Sequence, residues 1–285
     1  SKANKYDIGT LGLFMDLLGN EFPYSSDALA KKHALIFGAS KGIGAATAKM
    51  MAKAGADITI CARNENALNE LCSTLRKLGE GNMNYRVIDL EDLASLPQQV
   101  DEIVDSLGGV DILVNNAGGP PGGPLLNNEI HDFIAPFQRH LHASHLIVKK
   151  VAPLMEKNNY GRIIQIISTS VKEPIPNIGL SNTLRGAMAS WAKSLSRELA
   201  SCITINNVLP GFTDTERLDS LAASINKKTG KNLEQIHSEW MDQVPIRRLV
   251  DPLETASAIT FLAMPASGAI RGVSLAVDGG RLRSI

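Results

Sequence analysis

The chain has 285 residues, of which 44% are hydrophobic and 20% charged, and its 29 basic residues are balanced by 29 acidic ones. This size and composition suit one large domain with a sizeable core. The net charge of zero offers no electrostatic footprint for nucleic acid or an anionic membrane surface. No apolar run reaches the roughly 20 residues that span a bilayer.

Residues 1–30 stand outside the pattern of the rest of the chain and form a predicted N-terminal extension. The segment lacks the basic start, apolar core and cleavage site of a secretory signal. Its apolar residues recur at roughly helical spacing and would form an apolar stripe along one helix face. An exposed stripe of this kind would favour aggregation. We therefore expect it to pack on its own domain or on a neighbouring subunit. The stripe consists of Ile8, Leu11, Phe14, Met15, Leu17 and Leu18.

The three cysteines, Cys61, Cys72 and Cys202, are odd in number and form no CxxC pair. This usage favours free thiols in a reducing compartment. We therefore expect a cytoplasmic protein.

Short apolar runs alternate with helix-period segments from about residue 31 onward. Because the runs are continuously apolar, they indicate parallel strands buried on both faces and joined by right-handed helical crossovers. We predict an α/β fold with a single doubly wound Rossmann domain over residues 31–285, built on a seven-stranded parallel sheet with helices on both faces. The predicted strands lie in "ALIFGA", "DITICA", "NYRVIDL", "DILVNNA", "RIIQIIS", "TINNVLP" and "VSLAVDG".

A glycine-rich turn, "FGASKGIGAATAKMMAKAG", follows the first predicted strand and opens a helix that ends at Gly55. Gly38 allows a tight turn, Gly42 lets the backbone approach a pyrophosphate, and Gly44 lets helix and strand pack closely. The first N–H groups of the helix would face the phosphates. Glycines are common in loops, but this position in a βαβ unit predicts a dinucleotide-binding site.

The second strand ends in "ICARNENAL", with no acidic residue at Ala62, Arg63 or Asn64. An acidic residue there favours a free ribose 2′-OH, whereas a cation favours a 2′-phosphate. Arg63 offers a fork of donors suited to phosphate, and Lys41 in the glycine-rich turn adds a second charge. Both could instead be solvated surface cations. The motif favours NADP(H) over NAD(H).

Further motifs follow in order along the chain. Asp89, in "VIDLED", is placed to hydrogen-bond an adenine edge. With "GASKGIG", "NNAG", "GRIIQIIS", "NNVLPGFTDT" and "GVSLAVDGG", the chain from about residue 32 to its end resembles the short-chain dehydrogenase/reductase family, and most of all its β-ketoacyl carrier-protein reductases. The resemblance implies cofactor contacts from Gly38, Ser40, Lys41, Gly42, Ile43, Gly44, Arg63, Asp89, Leu90, Asn116, Ala117, Gly118, Pro210, Gly211 and Thr213.

The family's catalytic set consists of an Asn, a Ser, a Tyr and a Lys. The resemblance places the Ser at Ser168, at the end of "GRIIQIIS". Counting back from "LSREL" places Ser181 at the Tyr position and Arg185 at the Lys position. Counting back from "GRIIQIIS" places His140 at the Asn position. No Tyr-x-x-x-Lys occurs anywhere in the chain, so a shifted alignment does not restore the pair.

These replacements change the expected chemistry. In the family, the Tyr transfers the proton that accompanies hydride transfer, and the neighbouring Lys lowers its pKa from about 10. Ser181 is a far weaker acid that can orient a water or a carbonyl group. Arg185 stays protonated, so it either contacts the ribose hydroxyls or clamps a carboxylate. His140 titrates near neutral pH and is either a relay or a packed helix residue.

The loop "NAGGPPGGPLL", together with "VKEPIPN" and "SNTLR", resembles a divergent subgroup of these reductase-like proteins that lacks the Tyr/Lys pair. Prolines stiffen this loop over the nicotinamide side, while glycines let the backbone approach a ligand. We therefore interpret "SNTLR" as a working variant of the catalytic helix.

Residues from about 214 to 248 follow the sixth strand and would cross the carboxyl ends of the strands, so we predict a substrate lid there. Its apolar residues either line a pocket or pack as ordinary helices. They are Leu218, Leu221, Ile225, Trp240 and Met241.

The residues support two functions of different classes. The first is an NADP(H)-dependent oxidoreductase acting on a carbonyl or alcohol, such as a 3-oxoacyl compound, with an atypical catalytic set. The alternative is a catalytically silent dinucleotide-binding sensor or scaffold. The retained Ser168 and the cofactor lining favour the enzyme. We expect a small-molecule or acyl-thioester substrate and no nucleic acid, membrane or metal partner, and the resemblance implies a homodimer or homotetramer.

Overall fold

A seven-stranded parallel sheet forms the centre of the protein. The structure is a computed structural model that describes residues 16–284. The strands are β1 (His33–Phe37), β2 (Asp57–Ala62), β3 (Met83–Val87), β4 (Ile112–Asn115), β5 (Gly161–Ile166), β6 (Ile203–Pro210) and β7 (Ser274–Val277). Across the sheet they follow the order β3-β2-β1-β4-β5-β6-β7, and every neighbouring pair is parallel. Each predicted apolar run therefore coincides with a strand, and β1, β3, β5 and β6 begin one residue earlier than predicted.

Helices connect the strands and cover both faces of the sheet. They are α1 (Gly42–Lys53), α2 (Glu65–Leu78), α3 (Leu96–Leu107), α4 (Ile134–Phe137), α5 (Ala143–Lys157), α6 (Gly179–Glu198), α7 (Glu216–Thr229), α8 (Leu233–Met241) and α9 (Pro252–Ala263). Successive residues of a strand point to opposite faces. Ala34 and Ile36 of β1 accordingly pack with α1, α2 and α9, whereas Leu35 and Phe37 pack with α3, α5 and α6. The predicted doubly wound Rossmann fold is confirmed.

The strand order reverses at β1, whose neighbours are β2 on one side and β4 on the other. In open parallel sheets, ligands bind in the crevice outside the carboxyl ends of the strands at such a point. The turns that follow β1 and β4 therefore border the expected binding crevice.

Residues 16–30 pack against the outer surfaces of α1 and α9. Leu17 is buried with Ala46, Met50 and Ala256, and the hydroxyl of Tyr24 donates to a backbone carbonyl of α9. Leu18 packs against the same cluster. The other members of the predicted apolar stripe lie outside the described residues; they are Ile8, Leu11, Phe14 and Met15.

One long helical segment departs from regular α-helix. The chain forms a 3-10 turn at Ile130–Phe133, the short α4, and a π-helical stretch at Gln138–His142 before α5 begins. A π-helical turn holds one residue more than an α-helical turn, and such turns are frequent at functional sites.

Three further properties bear on the predicted class of protein. Within residues 16–284, no helix combines the length and the apolar character of a bilayer span. The same part of the chain contains no group of three or more His, Cys, Asp or Glu side chains placed to hold a metal ion. The three cysteines are free thiols, and Cys61 and Cys72 are buried.

Candidate active site

The turns after β1 and β4 are in direct contact. Asn116 donates a hydrogen bond from its side-chain amide to the carbonyl oxygen of Gly38, at 3.0 Å. Gly38 has a φ of +61°, a conformation that favours glycine, and a Cβ there would lie 2.3 Å from the backbone oxygen of Asn116. A Cβ on Gly44 would lie 2.3 Å from the oxygen of Gly38. Where α1 packs against the two turns, positions 38 and 44 therefore accept only glycine.

Helix α1 begins at Gly42, and no side chain caps its first N–H groups. An uncapped helix N-terminus after a glycine-rich turn suits a pyrophosphate. The close packing and the open helix end fit the phosphates of a dinucleotide, as predicted from the motif. Gly42 also faces Thr215, whose methyl carbon would lie 3.4 Å from a Cβ on the glycine.

The predicted recognition residues for the adenosine side are exposed at the ends of β2 and β3. Arg63 is exposed. Asp89 accepts a hydrogen bond from the backbone N–H of Glu91 at 3.0 Å, while Leu90 is half-buried beside it. The sequence predicts a 2′-phosphate as the partner of Lys41. In the structure its Nζ atom lies 2.6 Å from a carboxylate oxygen of Glu216 on α7.

The residues after β6 complete the edge of the crevice. The N–H of Gly211 donates to the carbonyl of Val277 at 3.0 Å, which ties this turn to β7. Thr213 is buried, and its hydroxyl donates to the carbonyl of Gly211 at 3.2 Å. Pro210, which ends β6, is half-buried.

His140 lies in the π-helical stretch and is only 3% exposed. Its Nε2 atom is 2.9 Å from the carbonyl oxygen of Gly118. Burial, and secondarily the charge of Arg185, hold the pKa of His140 well below its usual range. The imidazole is therefore neutral, and Nε2 carries the proton that it donates to Gly118. The expectation that His140 titrates near neutral pH is wrong, because the sequence gives no measure of its burial.

Ser168 follows β5 at the same edge of the sheet and is half-buried. Its side-chain oxygen accepts a hydrogen bond from the N–H of Ser170 at 3.1 Å. Since the backbone N–H occupies an acceptor position, the hydroxyl proton remains available to donate. A hydroxyl held in this way can polarise a carbonyl oxygen.

Ser181 and Arg185 lie one turn apart on α6 and therefore share a face of that helix. Arg185 donates from Nη1 to the carbonyl of Ile166 at 3.0 Å and from Nη2 to that of Ala117 at 3.4 Å. A methyl group on Gly119 would lie 3.7 Å from Arg185 Nη2 and 3.9 Å from the Ser181 hydroxyl. The fold thus brings both replaced residues to the turn after β4.

The tyrosines of the described chain are engaged elsewhere. Tyr24 and Tyr160 donate their hydroxyl protons to backbone carbonyls of α9, and Tyr85 contacts Glu65 on α2. Burial raises the pKa of Tyr24 and raises that of Tyr160 to about 12. Within residues 16–284, no tyrosine therefore takes the place of the missing proton donor.

A small polar cavity lies beneath this edge of the sheet. Its volume is about 10 Å³, which is the space that one water molecule needs. The side-chain amides of Asn115 and Gln165 line it, and their polar atoms have no hydrogen-bond partner in the described chain. His140 and Arg185 line it as well. The cavity therefore suits a water that hydrogen-bonds to several of these groups.

Known proteins share both the sequence and the fold of this chain. A family model described as enoyl-(acyl carrier protein) reductase matches residues 38–281. The 3-oxoacyl-(acyl-carrier-protein) reductase FabG of Vibrio cholerae is 35% identical over 255 residues, which make up 88% of this chain and 98% of FabG.

The chain belongs to the short-chain dehydrogenase/reductase family.

Two further members of the family show the same likeness. The NADPH-dependent reductase BacG of Bacillus subtilis is 29% identical over 259 residues, or 90% of this chain and all of BacG. L-sorbose reductase of Gluconobacter frateurii, whose structure contains NADPH and L-sorbose, has a TM-score of 0.85 at 26% identity and covers 92% of this chain and all of its own. The expectation of a dehydrogenase/reductase enzyme is confirmed, and these relatives agree with the predicted NADP(H) cofactor.

The structure adds three arginines that the family motifs do not point to. Arg217, in the first turn of α7, donates from Nη2 to the carbonyl of Pro120 at 2.9 Å. Arg139 pairs with Glu91 across 3.4 Å. Arg281 donates to the hydroxyl of Thr169 at 3.1 Å, next to Ser168. The family motifs miss Arg139 although it adjoins His140, and the contacts of Arg217 with Pro120 and of Arg281 with Thr169 join segments that are distant in the chain.

The predicted lid forms two helices, α7 and α8, which pack on each other. Its apolar residues make a hydrophobic cluster of their own with Phe212 and Leu249. Of the two alternatives for these residues, the structure shows helix packing. Polar side chains at the start of α7, such as Arg217, face the crevice instead.

Proposed function

We propose that this protein is an NADP(H)-dependent reductase of carbonyl compounds that works without the family's tyrosine and lysine. The observation that carries the proposal is the convergence of Ser181 and Arg185 on the turn after β4, beside the glycine crossing that fits a dinucleotide. These residues occupy the reaction end of the crevice, where polar groups must meet the substrate.

NADPH, when bound, supplies a hydride to the carbonyl carbon. The chain must then hold the carbonyl oxygen and provide a proton. Ser168 donates its hydroxyl proton in a hydrogen bond to that oxygen. Ser181 is too weak an acid to give up a proton at neutral pH, but it is short enough to leave space for water. We infer that the proton comes from water.

Arg185 contributes fixed positive charge. Burial, with smaller effects of Arg217 and Arg139, lowers its pKa to about 10, so it remains protonated at neutral pH. A charged fork next to the carbonyl stabilises negative charge that develops on oxygen, or holds a ribose or carboxylate oxygen. His140, which is neutral, fixes the Gly118 turn by its hydrogen bond and transfers no proton.

The test is NADPH oxidation, followed by absorbance, against a panel of ketones, oxo acids and β-ketoacyl thioesters. We expect slow turnover with at least one class, and a loss of about 100-fold or more in Ser168→Ala, the usual cost of one oxyanion donor. The double variant Ser181→Tyr with Arg185→Lys should reduce ketones faster. If the parent binds NADPH but neither the parent nor the double variant oxidises it with any compound, the reductase proposal fails. A dinucleotide-binding sensor then replaces it.

We also propose a homodimer or homotetramer. An open groove between α5 and α6 is lined by apolar side chains of Val148, Ala152 and Leu195. At the far edge of the sheet, Phe261 of α9 and Leu275 of β7 are 41% and 39% exposed. Exposed apolar surface on a helix pair and on an edge strand favours association. Light scattering on the purified protein measures the mass directly, and a monomer at micromolar concentration would contradict the proposal.

A further inference from the structure

Two guanidinium groups and one hydroxyl point to the same place at the reaction end of the crevice. A methyl group built on Gly119 would lie 3.6 Å from Nη2 of Arg217, 3.7 Å from Nη2 of Arg185 and 3.9 Å from the oxygen of Ser181. The three side chains come from two helices, α6 and the first turn of the lid helix α7. Two positive charges this close repel one another, so an anion bound between them would stabilise the arrangement.

Both arginines are fixed by neutral groups. Arg185 is 8% exposed and donates to the carbonyls of Ile166 and Ala117, while its Nε atom is buried and has no partner in the described chain. Arg217 donates to the carbonyl of Pro120. These bonds hold the planes of the two guanidinium groups but do not neutralise them.

No carboxylate of residues 16–284 forms an ion pair with either arginine. The ion pairs of the described chain involve other cations; they are Lys41, His131, Arg139, Lys150, Lys231, Arg247 and Arg248. Arg217 is exposed, but Arg185 is buried, and a buried charge without a counterion is costly. The nearby charges of Arg217 and Arg139 lower the pKa of Arg185 further than burial alone. Bound negative charge would remove this penalty.

We propose that Arg185 and Arg217 clamp the carboxylate of the substrate, so that the substrate class is an oxo acid whose carbonyl group lies beside Ser168 and Ser181. This inference rests on the proposed reductase function. A pair of guanidinium forks matches the two oxygens of a carboxylate, and the lid helix supplies one of them.

A phosphate of the cofactor is the other anion that this chemistry could hold. The geometry favours the carboxylate, because the phosphate cradle lies at the N-terminus of α1, where Gly42 faces Thr215. The two arginines instead meet at Gly119, next to the hydroxyl of Ser181. The experiment separates the two anions by measuring NADPH binding and acid recognition in the same variants.

The kinetic arm compares 2-oxobutanoate and 3-oxobutanoate with their methyl esters. We expect the parent to prefer at least one acid over its ester in kcat/KM by about tenfold or more, and Arg217→Ala to remove most of that preference. Arg217→Lys, which keeps the charge and loses the fork, should retain part of it. Lys227→Ala removes an exposed cation from the same helix and is the matched control.

The binding arm does not need turnover. Calorimetric titration of 2-hydroxybutanoate and 3-hydroxybutanoate, each with its methyl ester, into the protein loaded with NADP⁺ should show tighter binding of an acid, lost in Arg217→Ala. This result would support the clamp even if no carbonyl is reduced, in which case only the reductase proposal fails. The clamp is overturned if the parent does not distinguish acids from esters. It is also overturned if Arg217→Ala weakens NADPH binding and leaves acid recognition unchanged.

Discussion

A single methyl group at Gly44 should damage cofactor binding through steric overlap alone. A Cβ there would lie 2.3 Å from the carbonyl oxygen of Gly38 and 3.0 Å from both the Cα of Ala39 and the side-chain nitrogen of Asn116. The nearest atoms belong to backbone, so α1 or the glycine-rich turn must move in Gly44→Ala. Overpacking of this kind costs about 1–3 kcal/mol, which for a chain of this length corresponds to a melting temperature lower by about 2–5 °C.

The same movement should weaken cofactor binding, because the N–H groups of the first helical turn would no longer point at the phosphates. We expect the Kd for NADPH to rise about tenfold or more, equivalent to about 1.4 kcal/mol. Differential scanning fluorimetry gives the melting temperature, and calorimetric titration gives the Kd.

Gly186→Ala is the matched control. Gly186 lies within α6, and no atom lies within 4 Å of a Cβ built there. Alanine is the better helix former by about 1 kcal/mol, so this variant should melt at or above the temperature of the parent. If Gly44→Ala melts with the parent and binds NADPH equally well, the close crossing of helix and turn does not constrain this position.

Three other predictions concern charge, pH and the N-terminal segment. Burial lowers the pKa of His140 from its usual 6.5 in the folded protein. Below pH 6.5 the unfolded chain therefore binds a proton at this residue that the folded chain does not. The free energy of unfolding falls as a result, by up to about 1.4 kcal/mol per pH unit. Urea unfolding measured above and below pH 6.5 should show that the free energy of unfolding falls less in His140→Gln than in the parent. Arg63→Ala should abolish most of the preference for NADPH over NADH in calorimetric titrations; equal affinities in the parent would contradict it. Leu17→Ala should lower the free energy of unfolding by about 2–3 kcal/mol, because its side chain is 5% exposed, and an unchanged urea midpoint would show that this segment is not structural.

The strands and the glycine-rich turn could be predicted from sequence because their determinants are local. Each strand is a short, continuously apolar run, and the spacing of Gly38, Gly42 and Gly44 follows directly from one turn and the helix after it. Ser181 and Arg185 could be placed on one helix face by their separation of four residues.

The rest of the site depends on contacts that no local pattern encodes. Lys41 and its partner Glu216 are 175 residues apart, and no pattern of residues along the chain pairs them. Arg217 reaches Gly119 only because the segment after β6 folds back toward the turn after β4. The protonation of His140 depends on its burial, which is a property of the assembled fold.

The π-helical stretch at Gln138–His142 offsets the buried face of α5, around the helix axis, from the turns that precede it. Within it, His140 faces Gly118; after it, Ile147 and Val151 of α5 pack against the sheet. One residue turns an α-helix by about 100°, so a deletion within α5 would rotate its buried face toward solvent. If one residue is deleted within the π-helical stretch, that stretch can become ordinary α-helix, and α5 then stays in place. This stretch is therefore where an insertion or deletion can change the reaction end of the crevice without dislodging the core.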